Sequence, residues 1–144
     1  LVRNAYWFNR DFDFYRGRHI QTIKTSTHRW AIQLSCPRSA GASYVLAAGL
    51  SGVRPGIQLQ DGRRINLNPD QLTALTLNNR LPGAWNPGPG VLDSRGEALG
   101  SLDLRALTPP PGGLRLPIWI VLVVLDPTSP SGIRYLPDTY VMRI

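Results

Sequence analysis

The 144 residues predict an all-β fold, a two-sheet antiparallel sandwich of the immunoglobulin or fibronectin type with an extended N-terminal arm. Three observations carry this. Fourteen glycines and 13 prolines are spread between short apolar runs, the punctuation of many short strands. Those runs have strand length, and several alternate with period two. Six of the 12 aromatics, with every phenylalanine, fall within the first 20 residues, which sets that segment apart. At 42% apolar the chain can close one core and is too short for two. The expected division is an arm over residues 1–25 and a sandwich over residues 26–144.

In the arm, Tyr6, Trp7, Phe8, Phe12, Phe14 and Tyr15 are interleaved with Arg3, Arg10, Asp11, Asp13, Arg16 and Arg18. This is too polar for a core strand and too aromatic for an ordinary solvated tail, so it reads as a contact segment. Ile20–Thr25 is the first strand, with Ile23 and the threonines supplying β propensity. In Arg29–Leu34, Trp30, Ile32 and Leu34 alternate with Arg29, Ala31 and Gln33, giving one buried and one wetter face before Cys36-Pro37 ends the run. Ser43–Leu50 is apolar on both faces and reads as a central strand. Ile57–Gln60 and Arg63–Leu67 form a hairpin across Asp61-Gly62, a pair suited to the positive φ of a two-residue turn.

Asn68-Pro69-Asp70 offers an N-cap asparagine and a first-turn proline for a short helix through Leu72, Ala74 and Leu75, with a strand as the alternative. Asn78 to Gly90, with three prolines, three glycines and Trp85, reads as a long exposed loop. Val91–Leu92 and Ala98–Leu104 pair as a hairpin across Asp93–Gly96. Past the Pro109–Gly113 linker, Pro117–Leu125 is the most apolar strand and too short to span a bilayer. Asp126 to Gly132 turns the chain into Ile133–Leu136, and Thr139–Ile144 closes the domain. Trp30 and Trp119 belong to the expected core.

The formal net charge is +7, and 15 of the 16 basic residues are arginine, with Lys24 the single lysine. Arginine favours bidentate and interface pairing. Its scatter along the sandwich, with no basic run longer than two, argues against nucleic acid as the partner. Cys36 is the single cysteine, so neither an intrachain disulfide nor a cysteine-based zinc cluster can form. It is expected to serve as a small apolar side chain at a strand end. His19 and His28 lie in or beside the arm, and no arrangement of them with Cys36 is expected to make a catalytic site. Asp11 and Asp13 share one side of an extended segment, where calcium ligation competes with simpler pairing to the flanking arginines. Asp61, Asp93, Asp126 and Asp138 sit in predicted turns, where aspartate hydrogen-bonds its own backbone. No cofactor and no metal are expected.

Residues 43–144 carry further phrases: Tyr44-Val45-Leu46-Ala47-Ala48-Gly49-Leu50-Ser51-Gly52 followed by Pro55-Gly56, then Ile65-Asn66-Leu67-Asn68, Gly90-Val91-Leu92-Asp93-Ser94-Arg95-Gly96 and Val123-Val124-Leu125-Asp126-Pro127. In order and spacing this region resembles a β-sandwich domain that recurs at the C-termini of large secreted proteins of environmental bacteria. The resemblance implies export and a sandwich and supplies no active site. Residues 1–28 have no counterpart in it, and Leu1 to Ile20 shows none of the features of a secretory signal.

The expected function is therefore binding and not catalysis: a structural subunit of an extracellular filament or surface assembly. Copies of the chain would associate, in a helical arrangement, through Tyr6, Trp7, Phe8, Phe12, Phe14, Tyr15, Ile20 and Ile23. The alternative is a monomeric secreted adhesion or carbohydrate-binding module whose surface is Trp85 and the 78–90 loop.

Overall fold

A computed structural model describes residues 19–81, 83–86, 89–106, 117–137 and 139–142. The expected arm residues Tyr6, Trp7, Phe8, Phe12, Phe14 and Tyr15 lie outside them, as do Asp11, Asp13, Asp138 and the expected linker.

The described chain is mostly antiparallel β structure with one α-helix, arranged as two facing sheets. The first sheet has the order β1 (Ile20–Lys24), β2 (Arg29–Ser35), β8 (Glu97–Asp103), β6 (Trp85–Asn86). The second runs β10 (Ile133–Tyr135), β9 (Ile118–Leu125), β3 (Ser43–Gly49), β7 (Pro89–Val91), with β11 (Tyr140–Met142) also pairing β9. A hairpin of β4 (Ile57–Gln58) and β5 (Arg64–Ile65) forms a separate two-stranded sheet.

Period-two alternation builds the core between the sheets. Ile20, Ile32, Leu34 and Leu102 from the first sheet meet Tyr44, Leu46, Ala48, Ile118, Ile120, Leu122, Val124 and Met142 from the second. β3 and β9 are apolar on both faces because both are covered. Ala47, Val121, Val123 and Ile133 pack on the far side with Leu67, and Leu59 and Ile65 from the hairpin lie against them. β2 also differs from its expected wetter face. Ala31 and Gln33 are buried in this strand flanked by β1 and β8, and neither amide atom of Gln33 has a hydrogen-bond partner among the described residues.

Several local expectations change with tertiary context. The Asp61-Gly62 hairpin closes with three residues, 60–62. Leu59 N–H donates to Arg63 C=O (2.8 Å), and Gly62 takes φ +91°. The helix α1 (Gln71–Leu77) is capped by Asp70 and not by Asn68: the Asp70 carboxylate accepts from Thr73 N–H while the Thr73 hydroxyl accepts from Asp70 N–H. Val91–Leu92 and Ala98–Leu104 are not a hairpin. Asp93–Gly96 is a tight turn, with Gly96 N–H donating to Asp93 C=O at 2.9 Å, but it carries the chain from β7 in one sheet to β8 in the other. The 78–90 segment is a crossover, with Ala84 and Trp85 buried.

The expected first strand is β1, which pairs with β2 at one edge of the first sheet, with Ile20 opposite Leu34 and Lys24 opposite Trp30. Trp30 and Trp119 are half-buried and pack against the two core clusters. Among the described residues no helix is long and apolar enough to cross a membrane.

Candidate functional site

Two features outside the core have functional geometry. The first is a cavity of about 500 Å³ at the end of β2, lined by His19, Cys36, Pro37, Arg38, Ser39, Arg134 and Tyr135. β2 ends at Ser35, and the next residue, Cys36, is fixed to the neighbouring turn because its N–H donates to Gly96 C=O (2.7 Å). Proline then starts a single 3-10 turn, Pro37–Ser39, in which Ser39 N–H donates back to Cys36 C=O (2.9 Å).

His19 reaches the same place through strand register. The residue pairs of β1 and β2 put it opposite Ser35, whose N–H donates to His19 C=O (3.0 Å). Nδ1 donates to Ser35 C=O (2.8 Å), which turns Nε2 toward the Tyr135 hydroxyl of β10 (3.2 Å), and the two rings meet edge-on with centroids 5.3 Å apart. Arg134, the neighbour of Tyr135, donates from Nη2 to Arg38 C=O (3.1 Å) and closes the wall between β10 and the 3-10 turn.

Cys36 is free and 2% exposed. Burial pushes its thiol up, but hydrogen bonds with His19 and Ser39 and the charges of His19 and Arg134 outweigh burial and hold it below the ordinary cysteine value. Two arginines, a histidine, a serine and a tyrosine line the cavity beside Cys36 and Pro37, with no carboxylate among the lining residues. The arrangement can accept an anion and stabilise a thiolate. Of the two histidines, His19 lies at the Cys36 cavity, whereas His28, whose C=O accepts from Leu104 N–H, lies at the far end of the β1–β2 hairpin. The readable signal was hairpin register: a turn over residues 25–29 puts residue 19 beside residue 35. The contribution of Arg134 and Tyr135 had no signal, being more than 90 residues away in sequence.

The second feature is the outer edge of β1. In an antiparallel ladder the hydrogen-bonded pairs alternate. The bonds from Ser35 to His19 and from Thr25 N–H to Arg29 C=O (2.9 Å) fix the inward set as His19, Gln21, Ile23 and Thr25. The N–H and C=O of Ile20, Thr22 and Lys24 therefore point to the outer edge, where no described strand pairs with them. The long free edge of β3 is treated differently. Beyond β7 its backbone groups are met by side chains: Trp85 Nε1 donates to Leu46 C=O (3.2 Å), Ala48 N–H to Thr76 Oγ1 (3.2 Å) and Leu50 N–H to Asp70 Oδ2 (2.7 Å).

Three sequence-predicted site residues are placed. Ile20 is 2% exposed in its own core, because alternation along β1 directs it inward with Leu34. Ile23 is half-buried on the opposite face, beside Ala31. Trp85, for which the sequence allows either a surface anchor or a ring tucked under its own loop, is 2% exposed, because β6 pairs with β8 and turns the ring between the sheets.

The turn aspartates behave as expected. Asp61, Asp93 and Asp126 each accept from a backbone N–H two residues on. Asp61 also holds Arg63 through two guanidinium nitrogens (2.9 and 2.6 Å), and that arginine donates on to Ser131 Oγ and Ile133 C=O, fastening the β4–β5 hairpin to β10. Among the described residues no group of three or more His, Cys, Asp or Glu could hold a metal ion. No family model matches the chain, and no curated protein or solved structure matches it either.

Proposed function

We propose that this chain is a binding protein built on an immunoglobulin- or fibronectin-like sandwich, a structural subunit of an extracellular filament or surface assembly whose arm docks on a neighbouring copy. One observation supports this above others: residues 1–18, with six of the aromatics, lead directly into β1, the strand whose outer edge no described strand covers, whereas the edge of β3 is closed by Trp85, Thr76 and Asp70. An extended segment from a neighbour can complete the ladder at Ile20, Thr22 and Lys24, with its aromatic side chains supplying apolar burial. Each buried aromatic contributes about 1.5–3 kcal/mol before ordering costs, so several must act together. Such a head-to-tail contact does not close on itself unless its rotation permits a ring, and it builds fibres. The resemblance of residues 43–144 to domains of secreted bacterial proteins supports the extracellular setting. The alternative, a monomeric adhesion or carbohydrate-binding module, draws less support, because Trp85 of its 78–90 surface is 2% exposed.

Sedimentation velocity on the full chain and on a chain beginning at His19 tests the proposal. The shortened chain retains β1 and the core, so it is expected to stay folded and to sediment as a monomer while the full chain forms larger species. Equal sedimentation of the two would refute the role of the arm.

A further inference from the structure

Cys36 does not stand alone. Its thiol borders a cavity of about 500 Å³, a volume within the range of small-molecule sites, whose other polar groups are the His19 imidazole, the Arg38 and Arg134 guanidiniums and the Ser39 and Tyr135 hydroxyls. The thiol is 2% exposed, so a reactant reaches it through that cavity. A small anion entering there meets a cavity lined by two arginines and by no carboxylate, with the charge of Arg134 acting on Cys36. Asp126 is within electrostatic reach of Arg134, and its carboxylate is engaged by Thr128 N–H and Oγ1.

We propose that this cavity is a modification site in which Cys36 captures one half of a small disulfide that carries carboxylates. The Cys36 thiolate attacks one sulfur of the incoming disulfide. A new Sγ–S bond forms, the original S–S bond breaks, and the departing half leaves as a thiolate that takes up a proton from water. The incoming disulfide is the oxidant: one of its halves is reduced to free thiol and the other stays on Cys36 as a mixed disulfide. The Cys36 proton passes to water, the charge of His19 stabilises the thiolate it leaves, and Arg38 and Arg134 hold the carboxylate. With one cysteine in the chain no internal thiol can resolve the product, so the adduct persists until an external thiol removes it. The hydrogen bonds and positive charge that hold the thiol below its ordinary value favour the attacking form.

The test compares a dianionic aromatic disulfide, dithiobis(nitrobenzoate), with the neutral dithiodipyridine on the folded protein and on the same chain unfolded in urea. For the folded protein the ratio of anionic to neutral rate is expected to exceed that of the unfolded chain by about tenfold, the low end of electrostatic steering. R134Q should bring the ratio back toward the unfolded value, and R134K should keep most of it. Arg134 is exposed, and unchanged thermal unfolding would show that the fold survives; R38Q provides a second reading of the same charge. Incubation with glutathione disulfide should add one glutathionyl group per chain, seen by mass spectrometry and lost in C36S. A folded thiol that reacts with neither reagent while the unfolded chain reacts with both would overturn the proposal, as would a rate ratio equal to that of the unfolded chain.

Discussion

The indole N–H of Trp85, on an edge strand of one sheet, donates 3.2 Å to the backbone carbonyl of Leu46 in a central strand of the other. β7 ends its pairing with β3 at Val45, so that mid-strand carbonyl would otherwise be a buried acceptor left over beyond the end of β7. W85F is expected to cost about 1–3 kcal/mol, the penalty of an unpaired buried group, and W85A about 3–5 kcal/mol through the cavity it leaves. Urea unfolding measures both. Neither change should lower association if residues 1–18 carry it.

Asp70 joins three structures: it caps α1, accepts from Leu50 N–H at the end of β3 and accepts from the Ser51 hydroxyl. Burial raises its carboxyl, but the bonds from Leu50, Ser51 and Thr73 outweigh burial and hold it below the ordinary value. A depressed folded-state value means that this stabilisation is full above the unfolded aspartate range and is lost as pH falls through the folded value. The hydrogen bonds that lower Asp61, Asp103 and Asp126 act in the same direction, at sites that water still reaches, Asp61 most of all, where screening weakens them. Unfolding free energy should therefore decline on acidification below about pH 4. D70N should flatten that decline, and D70A should cost about 2–3 kcal/mol at neutral pH.

Tyr44 is buried between the sheets, and burial pushes its phenol up to about 12. Between the ordinary value near 10 and that figure the unfolded chain gives up the proton first, so stability falls with rising pH by at most about 1.4 kcal/mol per unit. Y44F should remove this alkaline loss, read by unfolding at pH 9 and pH 11. A Cβ placed on Gly90 would stand 2.6 Å from the Tyr44 ring, so G90A should cost about 1–3 kcal/mol and should cost less in a Y44L background.

Gly96 packs directly on the backbone of Cys36 with φ +75°, and a Cβ there would overlap the Cys36 carbonyl. G96A is expected to destabilise the chain by more than 1 kcal/mol and to displace Cys36 from the cavity. Its signature is a changed rate of thiol modification in the protein that remains folded. G132A, at a glycine of similar φ with open space around it, should cost less and leave that rate unchanged.

Strand identity was readable in the residues, because period-two alternation in Arg29–Leu34 and the long apolar run before Leu125 are local signals that burial then rewards. The Asp61-Gly62 hairpin, the turn aspartates and the helix after Pro69 follow from the same kind of local chemistry. What the tertiary structure decided was which face and which sheet each strand joined. Asp93–Gly96 closes its turn whether the flanking strands pair with each other or part to opposite sheets, and only the competition between β2, β3 and their partners selects the second outcome. Trp85 has the sequence surroundings of an exposed loop and becomes core, where its indole meets a β3 carbonyl 39 residues earlier that β7 leaves unpaired. The cavity at Cys36 depends on the same kind of long-range choice. Its His19 follows from hairpin register, but Arg134 and Tyr135 arrive through the pairing of β10 with β9, a relationship set by packing of the whole second sheet and written in no single stretch of sequence.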